Sequence, residues 1–316
     1  MKNGSQLQIA GLLAILLTTG SSVRASAYSF ITLDDPAAPL GRTSVYGISG
    51  TTVVGTFSNS GGNPSGFTET GGVYTTLAEP NNTWAYGISS SSVVGTNLEG
   101  GFVETGGNYT TINPPNSRFT QCHAISGSLI VGYYQDTTTS TYRGFIESLG
   151  AFTLLDYPGA TGGTYAMGIS GNTVVGFYRA PTNAHGFIEI GGVYTPLNFP
   201  GASETYALGV SGSTVVGYYN ASGQHGFIYN DGVFTTIDAP LATKGTAIFG
   251  IDGNTIAGTY QDAAGSHGFI ATPVPEPVSL ALLGFASAVP LLQGRARRRH
   301  RGALLKAVAL AEEGLS

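Results

Sequence analysis

Charge is scarce in this sequence. Only 10% of its 316 residues are Asp, Glu, Lys or Arg, against roughly 25% in an average soluble domain. A charge-rich disordered chain is excluded, because 41% of the residues are hydrophobic. So is a coiled coil, which needs abundant Glu, Lys and Leu in heptads. A single cysteine, Cys122, excludes an internal disulfide framework and a cysteine-based metal cluster. Basic residues are scarcest in the middle: residues 28–273 hold only Arg42, Arg118, Arg143, Arg179 and Lys244. Against these 5 stand 15 acidic residues, so the segment carries 5 − 15 = −10. Such a surface repels nucleic-acid phosphates and gains nothing by charge from anionic lipid or polysaccharide. Neutral glycans, cations and other proteins remain as partners. What the chain has in abundance is 48 Gly, 17 Tyr and 15 Phe, which points to an all-β fold.

The two ends read as addresses. Lys2 is followed by a nine-residue apolar run at 9–17 and by Ala25-Ser26-Ala27, a small-residue A-x-A pattern. This is the layout of a secretory signal peptide over 1–27, cleaved before Tyr28; an uncleaved anchor is the alternative. At the other end Val274-Pro275-Glu276-Pro277 precedes an uncharged run at 278–292. Then come Arg295, Arg297, Arg298, Arg299, His300 and Arg301. The expected element is a short membrane-spanning helix over 278–294, with the arginines held on the cytoplasmic side as a stop-transfer cluster.

These residues resemble the PEP-CTERM sorting signal of Gram-negative bacteria: a Pro-Glu-Pro motif, a short hydrophobic helix and an Arg-rich end, here in order over 274–301. The resemblance implies export by the Sec machinery and recognition of Pro275, Glu276 and Pro277 by an exosortase, a membrane transpeptidase. The protein would pass through the inner membrane during sorting and end at the cell surface or outside the cell. Residues 302–316 depart from the pattern, which ends just after the arginines; they read as a short amphipathic cytoplasmic extension.

The middle is a repeat. Gly-Phe recurs at Gly66, Gly101, Gly144, Gly186, Gly226 and Gly268, at spacings of 35 to 43 residues. Ile48, Ile88, Ile125, Ile169, Val210 and Ile251 form a second series. Gly55, Gly95, Gly132, Gly176, Gly217 and Gly258 form a third, each after an apolar pair. In the unit 185–220, β-branched and aromatic runs at 186–190, 193–199, 206–210 and 214–219 are bounded by Gly, Ser and Pro. They predict four short antiparallel strands. Four strands in about 40 residues is the pattern of a β-propeller blade. The first repeat begins at Phe30-Ile31-Thr32-Leu33-Asp34 without its own Gly-Phe strand, and the last Gly-Phe strand, 268–270, has nothing after it. Pairing the two ends would complete a sixth blade and leave no raw sheet edge. The expectation is therefore an all-β propeller over 28–273, of six four-stranded blades closed by its terminal strands. An open β-solenoid is the alternative.

The units resemble the extracellular HAF repeat. The motif reads His185-Gly186-Phe187, His225-Gly226-Phe227 and His267-Gly268-Phe269, with an Ile-Ser-Gly turn at Ile48-Ser49-Gly50 and Ile169-Ser170-Gly171. Gly replaces the motif's Ala, and Ser65, Gly100 and Arg143 replace its His. The resemblance implies an extracellular address and a repeat architecture, and no particular reaction.

Candidate chemistry is sparse. The three motif histidines lie in successive repeats, around a ring, whereas zinc needs ligands converging at about 2 Å. Histidines bonding neighbouring backbone are the plainer account, so no metal is expected. The [Leu/Ile]-[Asp/Asn]-x-Pro series at Asp34, Asn113, Asp156, Asn198 and Asp238 offers oxygens for calcium, or else caps its own loops. Cys122-His123 breaks the repeat, replacing pairs such as Ala85-Tyr86 and Ala207-Leu208. A thiolate–imidazole nucleophile is conceivable, but neighbours on a strand point to opposite faces, so a buried free thiol is expected. Trp84, Tyr165 and Tyr206 share one repeat position and would either stack on sugar faces or pack between blades. No G-x-S-x-G, H-E-x-x-H or repeat-breaking acidic pair occurs. The reading is an exported, surface-directed repeat protein without cofactor or catalytic residues, structural, adhesive or glycan-binding in the envelope or extracellular polymer. The alternative is a secreted propeller hydrolase or lyase acting on glycans.

Overall fold

The computed structural model describes residues 28–39, 42–77 and 82–274. The expected signal peptide, the motif residues Pro275, Glu276 and Pro277, the helix 278–294, the arginines and the extension all lie outside the described residues. Among the described residues no helix is long and apolar enough to cross a membrane.

The described elements are strands. β1 (Tyr28–Leu33) opens the chain, and its partner lies at the far end of the domain. Four antiparallel sheets follow, each with its strands in chain order. The first is β2 (Thr43–Ser49), β3 (Thr52–Ser58), β4 (Pro64–Thr70) and β5 (Val73–Thr76). The second is β6 (Trp84–Ser89), β7 (Ser92–Asn97), β8 (Gly100–Thr105) and β9 (Asn108–Ile112). The third is β10 (Ser117–Ser126), β11 (Leu129–Asp136), β12 (Tyr142–Ser148) and β13 (Ala151–Leu155). The fourth is β14 (Thr164–Ser170), β15 (Thr173–Arg179), β16 (Ala184–Ile190) and β17 (Val193–Leu197). The last sheet has eight strands: β18 (Glu204–Ser211), β19 (Thr214–Asn220), β20 (Gln224–Asn230), β21 (Val233–Ile237), β22 (Gly245–Asp252), β23 (Thr255–Gln261), β24 (Ser266–Pro273) and β1.

The expectation of six separate four-stranded sheets is thereby corrected: four sheets have four strands and the fifth has eight. Within the large sheet, β18–β21 and β22–β24 with β1 are antiparallel groups joined by one parallel pair, Gln224↔Gly245. The repeat-equivalent residues Arg42 and Ser266 make the same parallel bridge, so the join does not depend on a glycine.

β1 pairs antiparallel with β24 along its whole length, from Tyr28↔Pro273 to Leu33↔Gly268. The N-terminal strand thus supplies the outer strand that the last repeat lacks, and β24 gains a partner on its open edge.

Two of the three repeat markers are one packing unit. Gly217 stands opposite Phe227 in the β19–β20 ladder, as Gly55 stands opposite Phe67 and Gly176 opposite Phe187. A Cβ at Gly217 would lie 1.9 Å from the Tyr206 carbonyl oxygen and 3.0 Å from the Phe227 ring. The glycine lets the aromatic ring lie flat across the strand, and all six Gly-Phe rings are fully buried. Each such burial stabilises by about 1.5–3 kcal/mol. The valines before the glycine, such as Val174 and Val175, are also fully buried, so the second strand of each unit has both faces in the core. The outermost strands β5, β13 and β17 are exposed along most of their length. β17 ends at Leu197, two residues short of the expected 199, where Asn198 turns to meet His185.

Candidate functional site

All six repeats contribute equivalent residues to one central channel. The device is a β-bulge. Each first strand shifts register against the second at an equivalent place, at Val45/Gly47, Ala85/Gly87, Cys122/Ala124, Ala166/Gly168, Ala207/Gly209 and Ile248/Gly250. The extra residue is turned out of the ladder. These residues are Tyr46, Tyr86, His123, Met167, Leu208 and Phe249, and together they line a constriction of about 50 Å³. Tyr46 packs edge-on against Tyr86 and Phe249, with centroids 5.3 and 5.0 Å apart. The channel is plugged by side chains at this level.

Above the plug, the turns of neighbouring repeats are tied by a recurring hydrogen bond. The backbone N–H of Ser90 donates to Ser49 Oγ, Gly171 to Ser126, Gly212 to Ser170 and Gly253 to Ser211, each at 3.2 Å. The ring closes from last repeat to first with a carboxylate in place of serine: Gly50 N–H donates to Asp252 Oδ2 at 2.6 Å.

Cys122 and His123 separate as alternation requires. Cys122 is fully buried among Val94, Ile112 and Phe145, and burial pushes its thiol pKa up. His123 faces the channel, stacked between Tyr86 at 4.4 Å and Tyr133 at 5.2 Å, with Nε2 3.1 Å from Gln121 Oε1. It is half-buried in the channel wall. Desolvation lowers its pKa to about 3. No nucleophile–base pair forms here.

The two polar motifs left separate by the sequence reading meet in the fold. His185 Nδ1 lies 3.2 Å from Asn198 Oδ1, His225 Nδ1 2.8 Å from Asp238 Oδ2, and His267 Nδ1 2.9 Å from Asp34 Oδ1. Arg143, at the same repeat position, pairs with Asp156. The histidines therefore bond side chains of the strand beside them in the sheet, not a neighbouring unit's backbone. The Asp/Asn residues serve these pairs instead of capping only their own loops. Among the described residues no group of three or more His, Cys, Asp and Glu is placed to hold a metal ion.

A further set of carboxylates went unread in the sequence. Glu69, Glu104, Glu147 and Glu189 each accept, at 2.5–2.6 Å, the N–H of the glycine three residues on. They pin the outer hairpin turns. The signal was present as Glu-x-x-Gly in four repeats.

The three repeat-equivalent aromatics do not form one site. Tyr165 stacks on Phe177 with centroids 4.5 Å apart and rings 9° from parallel, and Tyr206 stacks likewise on Tyr218 at 4.5 Å and 17°. Both are buried, and both also pack between sheets, Tyr165 against Tyr133 and Tyr206 against Phe177, each with centroids 4.8 Å apart. Trp84 is half-buried and lines two cavities, of about 580 and 280 Å³. Of the three, it alone offers its ring to a cavity described here.

No family model matches the chain, and no curated protein does. Among solved structures it is similar to the β-propeller domain of the Trilobed protease from Pyrococcus furiosus, at 11% identity and a TM-score of 0.48, covering 74% of this chain and 94% of that one. A mutant of the Aleuria aurantia lectin in complex with Fucalpha1-6GlcNAc is similar at 17% identity and a TM-score of 0.46, covering 76% and 100%. The Pyrococcus horikoshii acylaminoacyl peptidase is similar at 10% identity and a TM-score of 0.49, covering 78% of this chain but only 54% of the peptidase.

Proposed function

We propose that the chain is an exported, surface-directed repeat protein whose propeller is a structural and glycan-binding module, not an enzyme. We read the eight-stranded sheet as two blades fused at Gln224↔Gly245, which makes the propeller six-bladed. The observation that carries the non-catalytic reading is the channel, the place where six repeats converge. Its lining is backbone, serine, aliphatic and aromatic side chains with Met167 and His123, and Asp252 is the acid among the lining residues, its carboxylate engaged by Gly50. Hydrolysis of glycosides would want two carboxylates about 5–10 Å apart.

The address rests on the residues at the ends. Proline disfavours a continuing helix, so Pro275 and Pro277 suit a motif that a processing transpeptidase would grip. Arg295, Arg297, Arg298, Arg299 and Arg301 resist being drawn through the membrane. Replacing Pro275-Glu276-Pro277 by three alanines should leave export intact and retain the full-length protein in the inner membrane. Fractionation with mass analysis of the mature C-terminus tests this. A wild-type chain still ending at Ser316, or a triple-alanine form reaching the surface equally well, overturns the sorting reading.

A further inference from the structure

We propose that the groove between the second and third sheets, walled by Trp84 and Phe119, is a binding site for a neutral saccharide. The proposal rests on the exported glycan-binding reading and gives it a location.

The first observation is a break in the repeat that packing does not explain. Five of the six first strands carry one register shift, whereas β10 carries a second, between Arg118 and Gln121. It is also the longest first strand, with 10 residues. Phe119 lies within that second irregularity at φ +52°, a left-handed conformation costly for a bulky residue. Its ring gains little from burial, because 64% of its surface is exposed. Backbone strain of this kind, held on the surface to present an aromatic ring, points to a ligand.

The second observation is how the facing wall has been opened. Where other repeats place His185, His225, His267 or Arg143 against their Asp or Asn, the second repeat has Gly100 against Asn113. Its hairpin from Asn97 to Gly100 is also short. The result is the 580 Å³ cavity, a volume within the usual range of small-ligand sites, roughly 300–1,000 Å³.

The groove's chemistry selects the ligand. Trp84 and Phe119 offer ring faces on which the apolar C–H face of a pyranose can lie. Between them stand groups with unspent hydrogen-bonding capacity. Gln121 Oε1 accepts from Tyr133 at 2.7 Å, and its amide nitrogen makes no bond among the described residues. Asn113 Nδ2 donates to the Glu99 carbonyl at 3.1 Å, leaving its Oδ1 free. Arg118 Nε donates to Gln135 at 2.8 Å, and its guanidinium lies over one face of the Phe119 ring, 5.2 Å from the centroid, which leaves the ring's other face for a ligand. The Glu99 carboxylate makes no bond among the described residues. Sugar hydroxyls both donate and accept, and so suit this mixed set. Glu99 and Arg118 cancel in charge, which favours a neutral ligand. Nucleobases stack on such rings too, but their phosphates would meet a segment of net charge −10.

The test uses a reporter already in place, since Trp84 is the one tryptophan of the chain. The purified full chain is titrated with neutral gluco-, manno- and xylo-hexasaccharides, following Trp84 emission and, in parallel, heat by calorimetry. The expected result is a saturable emission change with at least one of them. Phe119→Gly should weaken that binding by about tenfold or more, as loss of one stacking contact does. The same variant should melt no lower than wild type, because glycine relieves the positive φ. Saturable heat with unchanged Trp84 emission would put the glycan elsewhere, overturning this site while leaving the glycan-binding reading intact. No binding to any saccharide overturns the site as well, while the sorting reading is decided separately by fractionation. A Phe119→Gly variant that melts lower would make Phe119 a packing residue and overturn the proposal.

Discussion

His267 Nδ1 lies 2.9 Å from Asp34 Oδ1, joining residues 233 positions apart. It repeats across the chain's two ends the pair that His225 and Asp238 make within one hairpin. The chain-closing pair is better shielded: the His267 side chain is 9% exposed, against 32% for His225. Asp34→Ala should therefore cost about 1–2 kcal/mol, since it leaves a buried imidazole short of a partner. Asp238→Ala should cost less than about 1 kcal/mol. Urea unfolding of the two variants checks the order; equal losses would mean the terminal pair adds nothing to closure.

The Gly-Phe packing makes a sharper demand. A Cβ at Gly176 would lie 2.0 Å from the Tyr165 carbonyl oxygen and 2.8 Å from the Phe187 ring, and neither can retreat inside the core. Gly176→Ala should destabilise by about 3 kcal/mol or more, through overpacking. By contrast, Gly55 through Gly258 define a position where a small residue is required in every repeat. Thermal melting of Gly176→Ala at the wild-type temperature would contradict this account.

Cys122 should behave as a packing residue. Cys122→Ala should cost about 1 kcal/mol, as a small core deletion does, and leave any saccharide binding unchanged. A bulky thiol reagent should label the native protein only as fast as it unfolds. Rapid native labelling would place the thiol at the surface and reopen a nucleophilic role.

His123 should make the fold acid-sensitive. Its folded pKa is about 3, against 6.5 in the unfolded chain. Between these values the unfolded state binds the extra proton, so stability present above about pH 6.5 is lost as pH falls towards 3. The loss by pH 3 is on the order of a few kcal/mol. His123→Phe, which matches Phe249 at the equivalent position, should flatten this part of the pH–stability curve. Carboxylates titrate in the same range in both proteins, so the difference between the two curves isolates the imidazole. Parallel curves would show that the lumen hydrates His123 fully.

The repeat, the four strands per unit and the pairing of the chain ends were legible because alternation and glycine position are local properties. A period-2 pattern needs no partner to be seen. The complementary gaps at Phe30 and Gly268 are likewise a matter of counting. Where Tyr46, Tyr86, His123, Met167, Leu208 and Phe249 point was not legible: they lie in the same strands as core residues, and only the bulge sends them into the channel. The meeting of His185 with Asn198 was hidden for a related reason. The two motifs sit 13 residues apart on strands that had to pair before either side chain had a partner.

By itself the sequence determined the strand pattern and the places that must be glycine, since each depends on the sterics or hydropathy of a few adjacent residues. Tertiary structure decided what long-range packing alone can decide. It fused two four-stranded groups through Gln224 and Gly245, plugged the channel with bulged residues, and buried Tyr165 and Tyr206 while leaving Trp84 on a cavity. One repeat position thus carries two fates, because an aromatic ring's exposure is set by the sheet packed against it and not by its own neighbours in the chain.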